Sequence, residues 1–276
     1  MVCSILVGLD GSPGSKMAME LGIRWALAYK AQLAGLAVVD QPGICRHEPT
    51  GIGGSGFKKH RDDRLLAEAN SRVDEFLKQF AAHCPADVVC RSIKAVGHPY
   101  KQILVEAEPF DIVLLSQQPQ FHFETQTRDT DTIRKVVLSS PHPVVIVPEW
   151  LPESESVLVA YDGSPAAGRA LQAFVASSLN KASDICVATV RPKRVDAERQ
   201  AERGVEFLHH HNIPARPLAI ESKAGPAQVL LDQARQLNVG MLVMGAYGRS
   251  RLHEFLCGST TRALFRESPV PIFTSH

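Results

Sequence analysis

Aromatic side chains are scarce in this 276-residue chain, at 6%, and neither sign of charge dominates. Lys and Arg number 30 against 29 Asp and Glu, a formal net charge of +1. A dedicated nucleic-acid binder needs a basic face and stacking rings, so this balance argues against one. The longest apolar runs, such as 144–147 and 241–244, fall far short of the roughly 20 residues of a membrane-spanning helix. Neither G-x4-G-K-[ST] nor G-x-S-x-G occurs, and the six cysteines (Cys3, Cys45, Cys84, Cys90, Cys186, Cys257) include no CxxC pair. That removes the P-loop, the nucleophile elbow and the usual zinc site from consideration. The cysteines are expected to be reduced thiols, several of them packed as small hydrophobes. The opening MVCSILVGLDGS has no basic region before its apolar stretch and reaches Asp10 early. It is expected to be a β-strand rather than a secretory signal, in a cytoplasmic protein.

What the chain does contain is a repeat. Apolar residues make up 45% and charged residues 21%, the balance of a globular protein, and the length suits about two domains. Residues 4–21, SILVGLDGSPGSKMAMEL, match 156–173, SVLVAYDGSPAAGRALQA, so that Asp10-Gly11-Ser12-Pro13 recurs as Asp162-Gly163-Ser164-Pro165. Val38 in GLAVVD is echoed by Val190 in CVATVR at the same offset of 152. A polar, proline-marked linker at 149–155 separates two expected domains, 1–148 and 154–276.

Each half alternates strand and helix. Short apolar runs read as strands buried on both faces, and Ser-Pro after the first strand reads as a capped helix start. Apolar spacing places Met17, Leu21 and Trp25 on one helix face, Ala170 and Phe174 with Leu171 and Val175 on its counterpart, and Leu66, Ala69, Val73, Phe76 and Phe80 on a longer helix. The fold class is therefore α/β, two open parallel-sheet domains with right-handed crossovers. From Val38 to Gly97 is 59 residues but from Val190 to Gly225 only 35. The extra segment holds Gly51-Ile52-Gly53-Gly54-Ser55-Gly56, which is expected to be a loop. It spells a dinucleotide fingerprint but does not join a strand directly to a helix.

The chemistry sits in the second half. Gly245-Ala246-Tyr247-Gly248-Arg249 begins a G-x2-G-x9-G-S-T pattern that closes at Gly258-Ser259-Thr260. Glycines at the end of a parallel strand let backbone N–H groups approach a ligand. A helix opened by Gly258, Ser259 and Thr260 presents unpaired N–H groups and a dipole that favour an anion. Arg249 and Arg251 add positive charge. The combination suits the phosphates of a nucleotide.

The two DGSP turns, the Val190 strand and the G-x2-G-x9-G-S-T pattern together resemble the universal stress proteins in their tandem form. The resemblance implies an adenine nucleotide alpha hydrolase-like fold with strand order 3-2-1-4-5 in each domain. It also implies ATP or a related adenine nucleotide, with Mg2+ as its companion, where strands one and four diverge. On this resemblance Asp162 sits beside the adenosine and Val190 offers its backbone to the adenine edge. Gly245, Gly248, Arg249, Gly258, Ser259 and Thr260 surround ribose and phosphates. The fifth strands are expected to support a homodimer or an internal pseudo-dimer. One departure is Gly240, where the family usually has aspartate.

The first half keeps Asp10 and Val38 but reads Ser116-Gln117-Gln118-Pro119 at the phosphate loop and carries Asp129 and Asp131 in place of G-S-T. Like charges ~4 Å apart cost about 4 kcal/mol at an effective dielectric near 20, so this half is expected not to hold ATP. No metal is expected at His209-His210-His211, because successive helical side chains diverge. The function that follows is nucleotide binding in a stress-response or signalling role. A slow ATPase and an interaction scaffold with a vestigial pocket are the alternatives.

Overall fold

Both DGSP turns are built alike. Gly11 and Gly163 take φ of 76° and 74°, a left-handed conformation that glycine adopts without steric cost. Ser12 Oγ then accepts the Ser15 amide at 3.1 Å, and Ser164 Oγ accepts the Ala167 amide at 3.2 Å, with proline in the first helical turn of each helix. The computed structural model describes residues 1–46, 54–122, 132–180, 184–247 and 259–276. It divides into two compact units, Cys3–Val136 and Met1–Val2 with Val137–His276.

In the first unit the elements are β1 (Ser4–Gly8), α1 (Pro13–Tyr29), β2 (Gln32–Val39), α2 (Gln41–Ile44), α3 (Gly54–His83), β3 (Cys90–Val96), α4 (Pro99–Ala107) and β4 (Ile112–Ser116). The division between the units falls within α5 (Thr132–Ser139). The strands run parallel in the order β3-β2-β1-β4.

The second unit holds β5 (Val144–Val147), β6 (Val157–Ala160), α6 (Pro165–Ser177), β7 (Ile185–Arg191), α7 (Arg194–His210), β8 (Arg216–Glu221), α8 (Pro226–Gln236), β9 (Met241–Gly245), α9 (Ser259–Glu267) and β10 (Ile272–Ser275). Its parallel strands lie in the order β8-β7-β6-β9-β10, the 3-2-1-4-5 arrangement. β5 adds to β10 antiparallel, pairing Ile146 with Ile272 and Val145 with Phe273.

Strands such as β4 and β5 are buried throughout, which explains their continuous apolar sequences. The expected face of α1 is corrected. Gly14, Ala18, Leu21, Gly22 and Ala26 are buried, whereas Met17 and Trp25 are half-buried. A Cβ on Gly22 would lie 2.9 Å from Val7 Cγ2 and 3.0 Å from Leu33 Cδ1, so the helix approaches the sheet too closely for large side chains. In α3, Ala69, Val73 and Phe80 are buried as expected, with Leu66 and Phe76 half-buried.

Two further expectations change. Gly54 and Gly56 open α3 rather than a loop, while 51–53 lie outside the described residues. The cysteines are not all thiols: Cys84 and Cys90 form a disulfide. The short turn from α3 to β3 brings their Cα atoms to 6.4 Å, a proximity that no CxxC search detects. Cys3 and Cys45 are exposed thiols. Cys186 is buried in β7, and burial pushes its thiol pKa up.

Phe174 of α6 is fully buried and meets Phe273 of β10 edge to face at 5.8 Å between ring centroids. Phe174→Ala is expected to destabilise the protein by about 3–5 kcal/mol in urea unfolding. A loss below about 1 kcal/mol would show that this contact is not part of the core.

Candidate functional site

At the C-terminal ends of β6, β7 and β9 lies a cavity of about 410 Å³. Open α/β sheets expose such a crevice where strand order reverses, and here β6 stands between β7 and β9. Asp162, Val190, Gly245 and Thr260 line the cavity together. Ser259 is the exposed first residue of α9 and is not among the lining residues. Gly248, Arg249 and Gly258 lie outside the described residues, as do Arg251 and Cys257.

Each lining residue has a local cause. Asp162 Oδ1 accepts the Ser164 amide at 2.9 Å, which bends the chain from β6 into α6 and leaves Asp162 exposed at the cavity. Gly245 is required by packing. A Cβ there would lie 2.3 Å from Ala166 C and 2.4 Å from Ala167 N, inside the first turn of α6. Its glycine therefore lets β9 and α6 meet beside the cavity. Thr260 enters from the first turn of α9, where helix N–H groups lack intrahelical partners.

Several lining residues were not singled out by sequence. Arg191 and Lys223 bring cations to the cavity, and Tyr161 and Tyr247 bring rings. Arg191 Nη2 donates to the Asp162 carbonyl at 2.6 Å, and Thr189 Oγ1 donates to the Tyr161 carbonyl at 2.6 Å. These two bonds tie the end of β7 to the turn after β6. Only the adjacency of Arg191 to Val190 hinted at this. Among the described lining residues the one carboxylate is Asp162, against two cations, Arg191 and Lys223. The cavity is therefore suited to an anion.

Gly240 explains its own departure from the family pattern. A Cβ at Gly240 would lie 1.9 Å from the Ser154 carbonyl oxygen, because linker backbone fills the space. In the first unit the matching position is Asp111. Its Oδ2 accepts the Cys3 and Ser4 amides at 2.7 and 2.9 Å and the Ser4 hydroxyl at 3.0 Å. The aspartate thus holds the start of β1, at the end of the sheet opposite the crevice.

In that unit Asp10 behaves differently from Asp162. It is 2% exposed; Oδ1 accepts the Ser12 amide at 2.8 Å and Oδ2 the Gln120 amide at 3.0 Å. Burial pushes its carboxyl above the ordinary value of 3.8, and hydrogen bonds from Ser12, Gln120 and Ser15 offset only part of that rise. A proton is then held more tightly in the native state than in the unfolded chain. Asp10's contribution to stability is fully present below its ordinary pKa and is lost as pH rises through its raised native value. The melting temperature of the wild type relative to Asp10→Asn is expected to fall as the pH rises above the ordinary carboxyl value of 3.8. A constant difference would overturn this account.

The expected first-half residues Asp129 and Asp131 lie outside the described residues. His211, the last of the histidine run, packs its ring on Phe207 at 4.8 Å, an aromatic contact at the end of α7.

Residues 153–275 match the model of the universal stress protein family. A universal stress protein of Synechocystis sp. is 26% identical over 166 residues, which cover 60% of this chain. The chain spans only 58% of that relative's length. Among solved structures, a universal stress protein from Archaeoglobus fulgidus is similar with a TM-score of 0.67 at 21% identity, covering 99% of this chain and 95% of that one. A functionally unknown protein from Pseudomonas aeruginosa has a TM-score of 0.58 at 17% identity, covering 99% and 92%. At such identities the structural likeness is one of fold. Residues 153–275, which carry the crevice described above, are thus the part of the chain that matches the universal stress protein family.

Proposed function

We propose that the C-terminal half binds an adenine nucleotide, ATP or a close relative with Mg2+, in a stress-response or signalling role in the cytoplasm. The observation that carries this reading is the convergence of Asp162, Val190, Gly245 and Thr260 on one cavity at the reversal point of the sheet. Asp162 would meet the ribose and the Val190 main chain the adenine edge. The glycine-bounded loop with Gly248, Arg249 and Gly258 would enclose the phosphates together with Ser259 and Thr260. Arg191 and Lys223 add to the cationic character that a polyanion requires.

Holding is favoured over hydrolysis. Attack on a phosphoryl group needs a positioned water and a group to orient it. The described lining contains no histidine, and its one carboxylate faces the proposed ribose. The first repeat is read as a second domain of the same kind that does not hold ATP.

Titration calorimetry with Mg-ATP is expected to show one site per chain. Gly258→Asp should weaken binding at least a hundredfold, since a carboxylate at the phosphate loop repels by about 4 kcal/mol at ~4 Å. Asp162→Ala should weaken it about tenfold, the cost of one hydrogen bond to a charged group. Absence of heat with ATP, ADP and AMP would leave the domain as an interaction scaffold. Phosphate release proportional to protein and lost in Gly258→Asp would make it an ATPase.

A further inference from the structure

The crevice of the Cys3–Val136 unit is arranged on the same repeat, and the chain after β4 returns to the ends of its strands. β4 ends at Ser116 where β9 ends at Gly245. Ser116 Oγ accepts the Ser12 hydroxyl at 3.0 Å and the Gln118 amide at 3.2 Å. Two residues on, the Gln120 amide donates to Asp10 Oδ2. Phe121 is 3% exposed. Its Cζ comes within 3.0 Å of the place a Gly8 Cβ would occupy, so β1 carries a glycine where the ring lies. His122 Nδ1 then meets Asp40 Oδ2 at 2.5 Å, while Asp40 Oδ1 accepts the Gly43 amide at 3.1 Å and caps α2.

These contacts reach the ends of all three strands that frame the crevice. Asp10 follows β1, Asp40 follows β2 and Ser116 closes β4. Both carboxylates are nearly sealed, at 2% and 4% exposure, whereas Asp162, the counterpart of Asp10, is exposed at an open cavity. Residues 120 and 122 bond directly to the two sealed carboxylates.

We propose that residues 117–122 are a built-in strap that fills the N-terminal crevice and keeps it closed to ligand. The Gln120 amide occupies the outward carboxylate oxygen of Asp10, and the Phe121 ring fills the apolar space against Gly8 and Leu115. The His122–Asp40 pair fastens the far end. A ligand would have to break the Gln120 bond and expel Phe121 together, leaving Asp10 with a buried unpaired oxygen, which is costly. The strap rests on this unit alone and stands or falls apart from nucleotide binding in the other half.

Hydrogen–deuterium exchange of the full chain, resolved over residues 117–122 and measured with and without Mg-ATP, tests this. In the wild type the Gln118 and Gln120 amides are expected to exchange at least a hundredfold slower than in a free peptide, equally with and without nucleotide. His122→Gln and Phe121→Ala should each speed exchange there at least tenfold. Free-peptide rates in the wild type, or exchange at 117–122 that changes with Mg-ATP, would overturn the strap, even if either variant fails to fold. Protection around Thr260 in the same experiment reports separately on nucleotide binding in the C-terminal half.

Discussion

Asp10 Oδ1 accepts the Ser12 amide and Asp162 Oδ1 accepts the Ser164 amide, and in each half this bond turns the chain from the first strand into the first helix. The glycine between them bends backward, the serine caps, and the proline starts the helix without needing a donor. Once the turn is set, α1 and α6 lie along their sheets and the C-terminal strand ends share one edge. The crevice is a consequence of that edge. In the C-terminal half its carboxylate, Asp162, is held in place by the turn itself.

From this common start the halves separate through few residues. Gly245 lets α6 close on β9 beside one crevice, while Ser116 at the matching strand end anchors a returning chain in the other. Asp162 is exposed and Asp10 is sealed by an amide of its own unit. At the opposite end of the sheets, Asp111 holds the Cys3 and Ser4 amides, while at the matching Gly240 the Ser154 backbone fills the space a side chain would need. Departures from a family pattern thus sort by which end of the strands they occupy.

Much of this was legible in the residues. Capped helix starts at Ser12-Pro13 and Ser164-Pro165, and strands such as 144–147, depend on local chemistry and on burial of both faces, which sequence records directly. The face of α1 was not, because close helix-to-sheet approach selects for small size, and Ala18 and Gly22 carry little hydrophobic signal beside Met17 and Trp25. The Cys84–Cys90 bond depends on where a turn places two side chains. Within the crevice, Asp162, Val190, Gly245 and Thr260 could be named from motif spacing. Arg191, Lys223, Tyr161 and Tyr247 could not, since their presence follows from the strand ends that the fold brings together. Phe121 was equally silent, its role being visible only against Gly8.

The sequence repeat and the packing unit are cut at different places. The repeat changes at the linker near residues 149–155, but β5, from the first repeat, is hydrogen-bonded to β10 within the unit that begins at Val137. An engineered fragment starting after the linker would strip β10 of that neighbour. It would uncover a row of backbone donors and acceptors along Ile272, Phe273 and Thr274, the kind of bare border on which chains stick to one another. Anyone wishing to express the C-terminal crevice by itself should therefore begin the clone upstream of β5.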